Sequence, residues 1–132
     1  MTKNILIVDD EPAVGFSLKA SLESLGPEYA VSHVLSAEAA LSALADDPID
    51  LMVTDLRMPG MSGLELLSHV RHAQPQLPTI LITAYGTADV IAASQQLQIS
   101  RYFAKPFKTE EFMQAVQEVL DRPPAGPVWP TG

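Results

Sequence analysis

Five polar residues that could do chemistry together lie far apart in the sequence, over almost a hundred positions: Asp9, Asp10, Asp55, Thr83 and Lys105. Each of them closes or follows a short apolar run, as in "ILIVDDEP" and "YFAKPF". Unit charges a few ångströms apart repel by roughly 1 kcal/mol in water and by more near a protein surface. A group of acids therefore needs a cation beside it. Because these five residues are far apart in the sequence, only the folded chain can bring them together.

The residue types indicate which cation that is. A cluster of carboxylate oxygens without His or Cys favours Mg²⁺, with Mn²⁺ or Ca²⁺ as substitutes. Because Mg²⁺ is usually held by one or two carboxylates together with phosphate oxygens, a phosphoryl group is expected at the same site. The ammonium of Lys105 and the hydroxyl of Thr83 suit the oxygens of such a group.

Each of these residues has an ordinary structural interpretation as well. Aspartates after a strand often cap a helix, a threonine at a strand end is often β-branched filler, and a lysine is usually a solvated charge. Asp55 could simply form a turn before "RMPG". Their joint occurrence at the ends of four apolar runs favours one shared site.

The apolar runs have the length and composition of β-strands, and the segments between them have helical spacing. The predicted strands are Ile5–Val8, Ala30–Leu35, Leu51–Thr54, Thr79–Thr83 and Arg101–Ala104. Pro12 suits the first turn of a first helix, Ser36 is a candidate N-cap, and Ser62 with Glu65 forms a capping-box pattern. The fourth and fifth helices are predicted over Ala88–Leu97 and about Thr109–Leu120.

Five repeats of strand and helix predict an α/β fold with a parallel sheet covered on both faces. All carboxyl ends of such strands lie at one edge of the sheet, where ligands bind. Residues 1–121 are predicted to form one domain. Residues 122–132 are predicted to be a proline-rich tail or linker, because prolines and glycines interrupt any helix there.

Composition excludes several classes of function. The 132 residues carry a formal net charge of −8, so direct binding of nucleic acid is not expected. With no cysteine, the chain has no disulfide, thiolate metal site or cysteine nucleophile. No apolar run approaches the length of a signal-peptide core or a membrane span, which predicts a cytoplasmic protein without membrane contact.

The motifs "ILIVDDEP", "DLMVTDLRMPGMSGLELL", "TILITAY" and "YFAKPF" resemble, in this order, those of a response-regulator receiver domain of two-component signalling. The resemblance covers residues of about 3 to 121. It implies a flavodoxin-like (βα)5 fold, doubly wound, with five parallel strands in the order 2-1-3-4-5. It also implies a phosphoacceptor that takes its phosphoryl group from a histidine kinase or a phosphotransfer protein.

The resemblance assigns a role to each acid of the site. Asp55 corresponds to the phosphoacceptor and is also a Mg²⁺ ligand. Asp10 corresponds to a direct Mg²⁺ ligand, Asp9 to a second acid near the metal, and the backbone carbonyl of Arg57 to the main-chain ligand. Lys105 corresponds to the lysine that pairs with Asp55 or with its phosphoryl oxygen.

Further positions are implied to control switching and access. Lys105–Pro106 would be a cis peptide. Thr83 and Tyr102 correspond to a switch pair that remodels the face of the fourth helix, last strand and fifth helix. Relatives form homodimers through this face, and the sequence leaves open whether this chain does. Arg57 and Tyr85 would control the access of water to the phosphoryl group.

The sequence departs from the family pattern at Gln98, where a glycine often ends the fourth helix. A glycine suits the left-handed conformation of such a helix end, so this turn is expected to be shorter or strained. The kinase, the stimulus and the output are not readable from the sequence. Both a stand-alone regulator and a receiver from a longer protein remain open.

Three other functions are weighed against this one. A phosphatase of the haloacid-dehalogenase type needs a second aspartate at position 57, where this chain has Arg57. A flavodoxin-like cofactor binder needs a phosphate cradle after the first strand, where "DDEPA" would repel phosphate. A degenerate receiver that only binds proteins would not need the full set of acids, threonine and lysine. The chain is therefore not expected to be an enzyme beyond its own phosphorylation and dephosphorylation.

Overall fold

The computed structural model describes residues 2–84 and 86–121 as five strands alternating with five helices. The strands form one parallel sheet in the order β2-β1-β3-β4-β5, which confirms the predicted fold class. Their bounds are β1 Lys3–Val8, β2 Tyr29–Val34, β3 Leu51–Asp55, β4 Thr79–Thr83 and β5 Arg101–Ala104. The carboxyl ends of all five strands therefore lie at one edge of the sheet.

The helices begin where the sequence places their caps. They are α1 Pro12–Glu23, α2 Ala37–Asp46, α3 Gly63–Ala73, α4 Ala88–Gln96 and α5 Thr109–Asp121. The Ser36 hydroxyl accepts a hydrogen bond from the Ala39 N–H group at the start of α2. At the start of α3, Ser62 and Glu65 form the reciprocal capping box, so both predicted caps are confirmed.

Two apolar cores lie on opposite faces of the sheet, because successive strand residues point to opposite sides. Ile5 and Ile7 of β1 pack with α1 and α5 on one face. Leu6 and Val8 of the same strand pack with α2 and α3 on the other face. Both faces are thus buried, as the continuous apolar strands predict.

The strand bounds differ slightly from those expected from sequence. β3 extends through Asp55, because this residue pairs in register with Ile82 of β4. β1 begins at Lys3, opposite Tyr29 of β2. The prediction that the second strand ends at Leu35 is wrong, because Leu35 lies just after β2 and is 51% exposed.

Helix α4 packs unlike the other helices. Among its nine residues the buried one is Ser94, whose hydroxyl donates to the carbonyl oxygen of Val90 within the same helix. After α4, Gln98 has φ 57°, a left-handed conformation that favours glycine. The turn at Gln98 is therefore strained, as predicted from the presence of a residue other than glycine at this position.

Arg71 of α3 joins several segments at the amino-terminal edge of the sheet. Its guanidinium donates to the carbonyl oxygens of Leu97 at 2.8 Å, Leu77 at 2.9 Å and Pro75 at 3.1 Å. It also donates to the hydroxyl of Thr79, the first residue of β4, at 3.2 Å. These contacts connect the end of α3, the start of β4 and the end of α4.

Two predictions fall on residues that the structure does not describe. Tyr85 and the tail 122–132 both lie outside the described residues. Within residues 2–84 and 86–121, the longest apolar helical segments are too short or too polar to cross a bilayer.

Candidate phosphoryl and metal site

Lys105 and a group of carboxylates meet at the carboxyl edge of the sheet. The Lys105 Nζ atom lies 3.1 Å from Asp55 Oδ2 and 3.5 Å from Asp9 Oδ2. A third carboxylate, that of Glu11, lies 3.7 Å from the same nitrogen but is largely exposed. The fold thus brings together residues separated by up to 96 positions in the chain.

Asp55 is the last residue of β3, and the following turn orients its side chain. Asp55 Oδ1 accepts a hydrogen bond from the Leu56 N–H group at 2.6 Å and a longer one from the Arg57 N–H group at 3.4 Å. Its other oxygen, Oδ2, accepts the hydrogen bond from Lys105. Because the side chain is only 8% exposed, these groups replace most of the water that would otherwise solvate the carboxylate.

Asp9 follows β1 and is almost fully buried, with 3% of its surface exposed. Burial raises the pKa of its carboxyl group, and the nearby Asp55 charge acts in the same direction. The Glu11 N–H group, which donates to Asp9 Oδ1 at 2.8 Å, and the charge of Lys105 counter this only in part. Ionisation of Asp9 is therefore less favourable here than for an aspartate in water.

Lys105 stands at the start of the β5–α5 loop, after the end of β5. Burial would lower its pKa, but the hydrogen bond to Asp55 and the charges of Asp9, Asp55 and Glu11 outweigh burial and raise it. The Lys105 N–H group donates to the Thr83 carbonyl oxygen at 2.9 Å, and the Lys105–Pro106 peptide is cis. Lys105 is therefore a firmly placed cation.

The carboxylates fit a hard divalent cation. One oxygen each of Asp9, Asp10, Glu11 and Asp55 lies within 4.8 Å of all the others. Opposite ligands of an octahedral Mg²⁺ are roughly 4.2 Å apart, so one ion can span such a group. These four carboxylates carry more formal negative charge than the Lys105 ammonium balances. The donor set is oxygen only, as the sequence predicts.

A cleft of about 680 Å³ opens beside this group, between the β3–α3 loop and the start of α4. Asp10 and Arg57 both line it, and so does Thr87, the N-cap of α4. Asp10 is half-buried, whereas the Arg57 side chain is exposed. A ligand at the acid group would therefore be reached through this cleft, past the main chain of Arg57.

The two residues of the expected switch lie on neighbouring strands. Thr83 is fully buried at the end of β4. Tyr102 of β5 pairs in register with Leu81, so it lies on the same face of the sheet as Thr83. The half-buried Tyr102 ring ends at Gly86, where an added methyl group would overlap its hydroxyl. Burial raises the pKa of Tyr102.

Three contributors to the site were not predicted from sequence. Glu11 belongs to the quoted run of acids, was not among the predicted site residues, and lies against Lys105. Gly63 is needed at the start of α3, because a methyl group there would overlap the main chain at Asp55 and Leu56. The third is His33 of β2, which contacts the Asp9 main chain. Of these, only the acid run gave a readable signal.

The sequence of the chain is similar to those of known response regulators. The sequence model described as "Response regulator receiver domain" matches residues 5–117. The chain is 36% identical over 116 residues to the response regulator protein FleR of Pseudomonas aeruginosa, covering 88% of this chain and 24% of FleR. It is 32% identical over 120 residues to sporulation initiation phosphotransferase F of Bacillus subtilis, covering 91% of this chain and 95% of that protein.

Solved structures give the same result. A receiver domain protein described as CheY-like, from Methanospirillum hungatei JF-1, superposes with a TM-score of 0.89 at 29% identity. That match covers 93% of this chain and 97% of the other. The chain therefore spans nearly all of some relatives but only about a quarter of others, such as FleR.

Proposed function

Because this chain belongs to the response regulator receiver domain family of two-component signalling, we propose that Asp55 is the carboxylate that accepts its phosphoryl group. The observation that carries this assignment is the ion pair of 3.1 Å between Asp55 Oδ2 and Lys105 Nζ beside further acids. Asp55 is buried, held by two N–H groups of the following turn and adjacent to the Lys105 ammonium.

The proposed reaction is a phosphoryl transfer from a phosphohistidine of a kinase or phosphotransfer protein. A carboxylate oxygen of Asp55 forms a bond to phosphorus while the phosphorus–nitrogen bond of the donor breaks, and the electron pair of that bond stays on the imidazole. Lys105 remains within reach of the oxygens on which negative charge develops. Since the N–H groups of Leu56 and Arg57 restrain Asp55, the nucleophile is already oriented.

We assign Mg²⁺ to the acid cluster, with Mn²⁺ as a substitute. Asp9, Asp10 and Asp55 would hold it, together with the main-chain carbonyl of Arg57. When bound, the cation neutralises the excess negative charge and binds phosphoryl oxygens. The chain's own contribution is to keep the acids converged before any donor arrives.

Thr83 and Tyr102 are proposed to pass the signal to the surface. The phosphoryl oxygens would attract the Thr83 hydroxyl, and its movement would let the Tyr102 ring turn inward, away from Gly86. The affected surface comprises α4, β5 and α5. We propose that it controls a partner, an effector domain or a homodimer formed through the same face.

Family members are phosphoacceptors, and we propose that this chain catalyses only its own phosphorylation and dephosphorylation. A phosphatase acting on outside substrates would need an acid at position 57, and an arginine cannot serve as that acid or base. Arg57 and Tyr85 are instead proposed to shield the phosphoryl group from water. Replacing both with alanine should shorten the lifetime of the phosphorylated protein, and an unchanged lifetime would contradict this role.

The assignment of Asp55 is tested with Mg²⁺ and acetyl phosphate, followed by mass measurement of the intact chain. We expect one phosphoryl adduct that is lost in Asp55→Asn. The matched control is Asp46→Asn, an exposed aspartate at the end of α2, which should keep the adduct. An unmodified wild-type chain, or an adduct that persists in Asp55→Asn, would refute the assignment.

A further inference from the structure

His33 contacts the acid cluster from a strand that contributes none of its carboxylates. It lies on the edge strand β2, and its Nε2 atom is 2.9 Å from the main-chain carbonyl oxygen of Asp9. Because a carbonyl oxygen can only accept, Nε2 carries the proton of this hydrogen bond. His33 is therefore a donor directed at the main chain between Asp9 and Asp10.

Helix α1 is shaped to admit this ring. Gly15 is a buried residue of α1, and a methyl group at that position would overlap three atoms of the His33 imidazole. Glycine inside a helix is unfavourable relative to alanine, so its presence here needs a reason. The reason is space, because the imidazole occupies the volume that any side chain at position 15 would fill.

The main chain at Asp9 is held chiefly from the β2 side. The Asp9 N–H group donates to the Val34 carbonyl oxygen at 3.1 Å, and the Asp9 carbonyl accepts from His33. On the other side, the pairing of β1 with β3 ends at Val8 and Thr54. The chain therefore leaves the sheet at Asp9 with β2 as its remaining neighbour, and His33 provides the last of these contacts.

The hydrogen bond also constrains Asp10. The carbonyl of Asp9 and the N–H group of Asp10 belong to one planar peptide unit, so a donor that fixes the carbonyl also fixes the direction in which Asp10 departs. Without that restraint, repulsion among the acids would favour a turn in which their carboxylates separate. His33 thus opposes the spreading of the cluster.

We propose that His33 is a positioning residue for the metal and phosphoryl site, holding the Asp9–Asp10 peptide so that both carboxylates converge on the cation. This inference rests on the proposed function, because it assumes that the acids bind Mg²⁺. Groups that orient metal ligands typically contribute 10- to 100-fold to affinity. We expect the lower end, about tenfold, because His33 acts through the main chain and not through a carboxylate.

The test compares His33→Phe, which keeps a ring but removes the donor, with His33→Gln, which restores a donor. Mg²⁺ affinity is measured on the full chain from amide chemical shifts in ¹⁵N spectra. We expect about tenfold weaker binding for His33→Phe and recovery of most of the loss in His33→Gln. Phosphorylation of His33→Phe by acetyl phosphate should be slower than that of wild type at low Mg²⁺. It should approach the wild-type rate at saturating Mg²⁺, since Asp55 itself is unchanged.

A second measurement does not depend on the metal. In the metal-free protein, hydrogen exchange of the Asp10 amide should be faster in His33→Phe than in wild type and near wild type in His33→Gln. His69→Phe, a change at an exposed histidine of α3, is the control and should alter neither property. If His33→Phe does not fold, Gly15→Ala combined with His33→Ala fills the emptied space from the helix and takes its place.

The outcomes separate this inference from the proposed function. Unchanged Mg²⁺ affinity and unchanged Asp10 exchange in His33→Phe would overturn the positioning role and leave His33 as packing alone. A wild-type chain that neither binds Mg²⁺ nor takes a phosphoryl group would refute the proposed function. The Asp10 exchange rate would then still decide whether His33 holds the peptide.

Discussion

Two partly buried cations lie at opposite edges of the same sheet, and their surroundings differ in kind. At the carboxyl edge, Lys105 faces the carboxylates of Asp9, Glu11 and Asp55. At the amino edge, Arg71 faces neutral oxygens, of which four are main-chain carbonyls. The Lys105 site has more negative charge than it can balance, whereas the Arg71 site needs no further ion.

The neutral partners of Arg71 still provide a favourable electrostatic environment. Leu97 is the C-cap of α4 and Gln74 is the C-cap of α3, so two helices direct their partly negative ends at the guanidinium. The planar, five-donor guanidinium can serve several carbonyls at once, which an ammonium cannot. Burial lowers the pKa of Arg71.

The comparison teaches how a functional site can be told from a structural one. The Arg71 cluster is complete in itself, with a matched donor and acceptor set that joins three segments. The Lys105 cluster is incomplete, because Lys105 pairs with three carboxylates and a fourth, that of Asp10, lies beside them. Burying a carboxylate is costly unless a cation or hydrogen bonds compensate it, and a bound cation would do so here.

Removal of the lysine should impair the chemistry far more than the fold. Lys105→Met deletes the cation that faces the developing charge, and loss of one such donor typically slows a reaction 10²- to 10³-fold. We expect that decrease in the rate of phosphorylation by acetyl phosphate, measured by intact mass over time. Mg²⁺ affinity should not fall, since the ammonium competes with the metal for the acids. A rate within a few fold of wild type would show that Lys105 does not face the phosphoryl group.

Removal of Arg71 should impair the stability of the fold far more than the phosphorylation rate. Arg71→Met leaves several acceptors at the amino edge without their donor, and we expect the free energy of unfolding to fall by roughly 2–3 kcal/mol. Urea denaturation measures this loss, and Arg71→Lys should recover only part of it. Phosphorylation at saturating Mg²⁺ should keep its wild-type rate. A large loss of rate in a folded Arg71→Met chain would erase the distinction between the two edges.

Neutralisation of one acid should stabilise the metal-free protein. The folded-state pKa of Asp9 lies above the ordinary value of 3.8, so its ionised form opposes folding above that folded-state pKa. Asp9→Asn should therefore raise the free energy of unfolding in EDTA at neutral pH by roughly 1 kcal/mol. The gain should shrink as the pH falls through the folded-state pKa, where wild-type Asp9 takes up a proton.

Added Mg²⁺ provides the contrast for this variant. The ion should stabilise wild type and stabilise Asp9→Asn much less, because one of its ligands is gone. Denaturation curves with and without Mg²⁺ measure both effects. An Asp9→Asn chain that is less stable than wild type in EDTA would mean that Lys105 already balances the acids.

The smallest expected effect concerns the contact between Gly15 of α1 and the His33 ring, near the carboxyl edge of the sheet. Gly15→Ala should lower the free energy of unfolding by about 1 kcal/mol, because the His33 ring must leave its place. In a His33→Ala background the same change should be stabilising by about 0.5–1 kcal/mol, since alanine is the better helix former. A double-mutant cycle in urea measures the difference of sign. Equal effects in both backgrounds would mean that the two residues do not share this space.

Much of the fold was predictable, because local patterns and global topology agree. The capping box of Ser62 and Glu65 and the proline at the start of α1 mark helix starts in the sequence, and the structure has them there. The convergence of Asp9, Asp55 and Lys105 also follows, because residues at the carboxyl ends of parallel strands must share an edge.

What was not predictable depends on contacts between segments whose residues carry no distinctive pattern. Nothing local marks His33 as a neighbour of Gly15, since one histidine in a strand and one glycine in a helix are each common. Arg71 likewise reads as a basic residue in the last turn of α3, and only the packed structure shows that carbonyls of two other segments surround it. The exact end of β3 at Asp55 depended on pairing with β4.

Ser94, the buried residue of α4, affects how easily this helix separates from the sheet. Helix α4 buries a hydroxyl, already bonded to its own Val90 carbonyl, and only partly buries Val90, so it loses less hydrocarbon contact than α5 would on lifting from the sheet. Its amide protons should therefore exchange by local opening sooner than those of α5, which buries Phe112 and Val116. Such opening would be restrained at the carboxyl end of α4, where Arg71 donates to the Leu97 carbonyl oxygen.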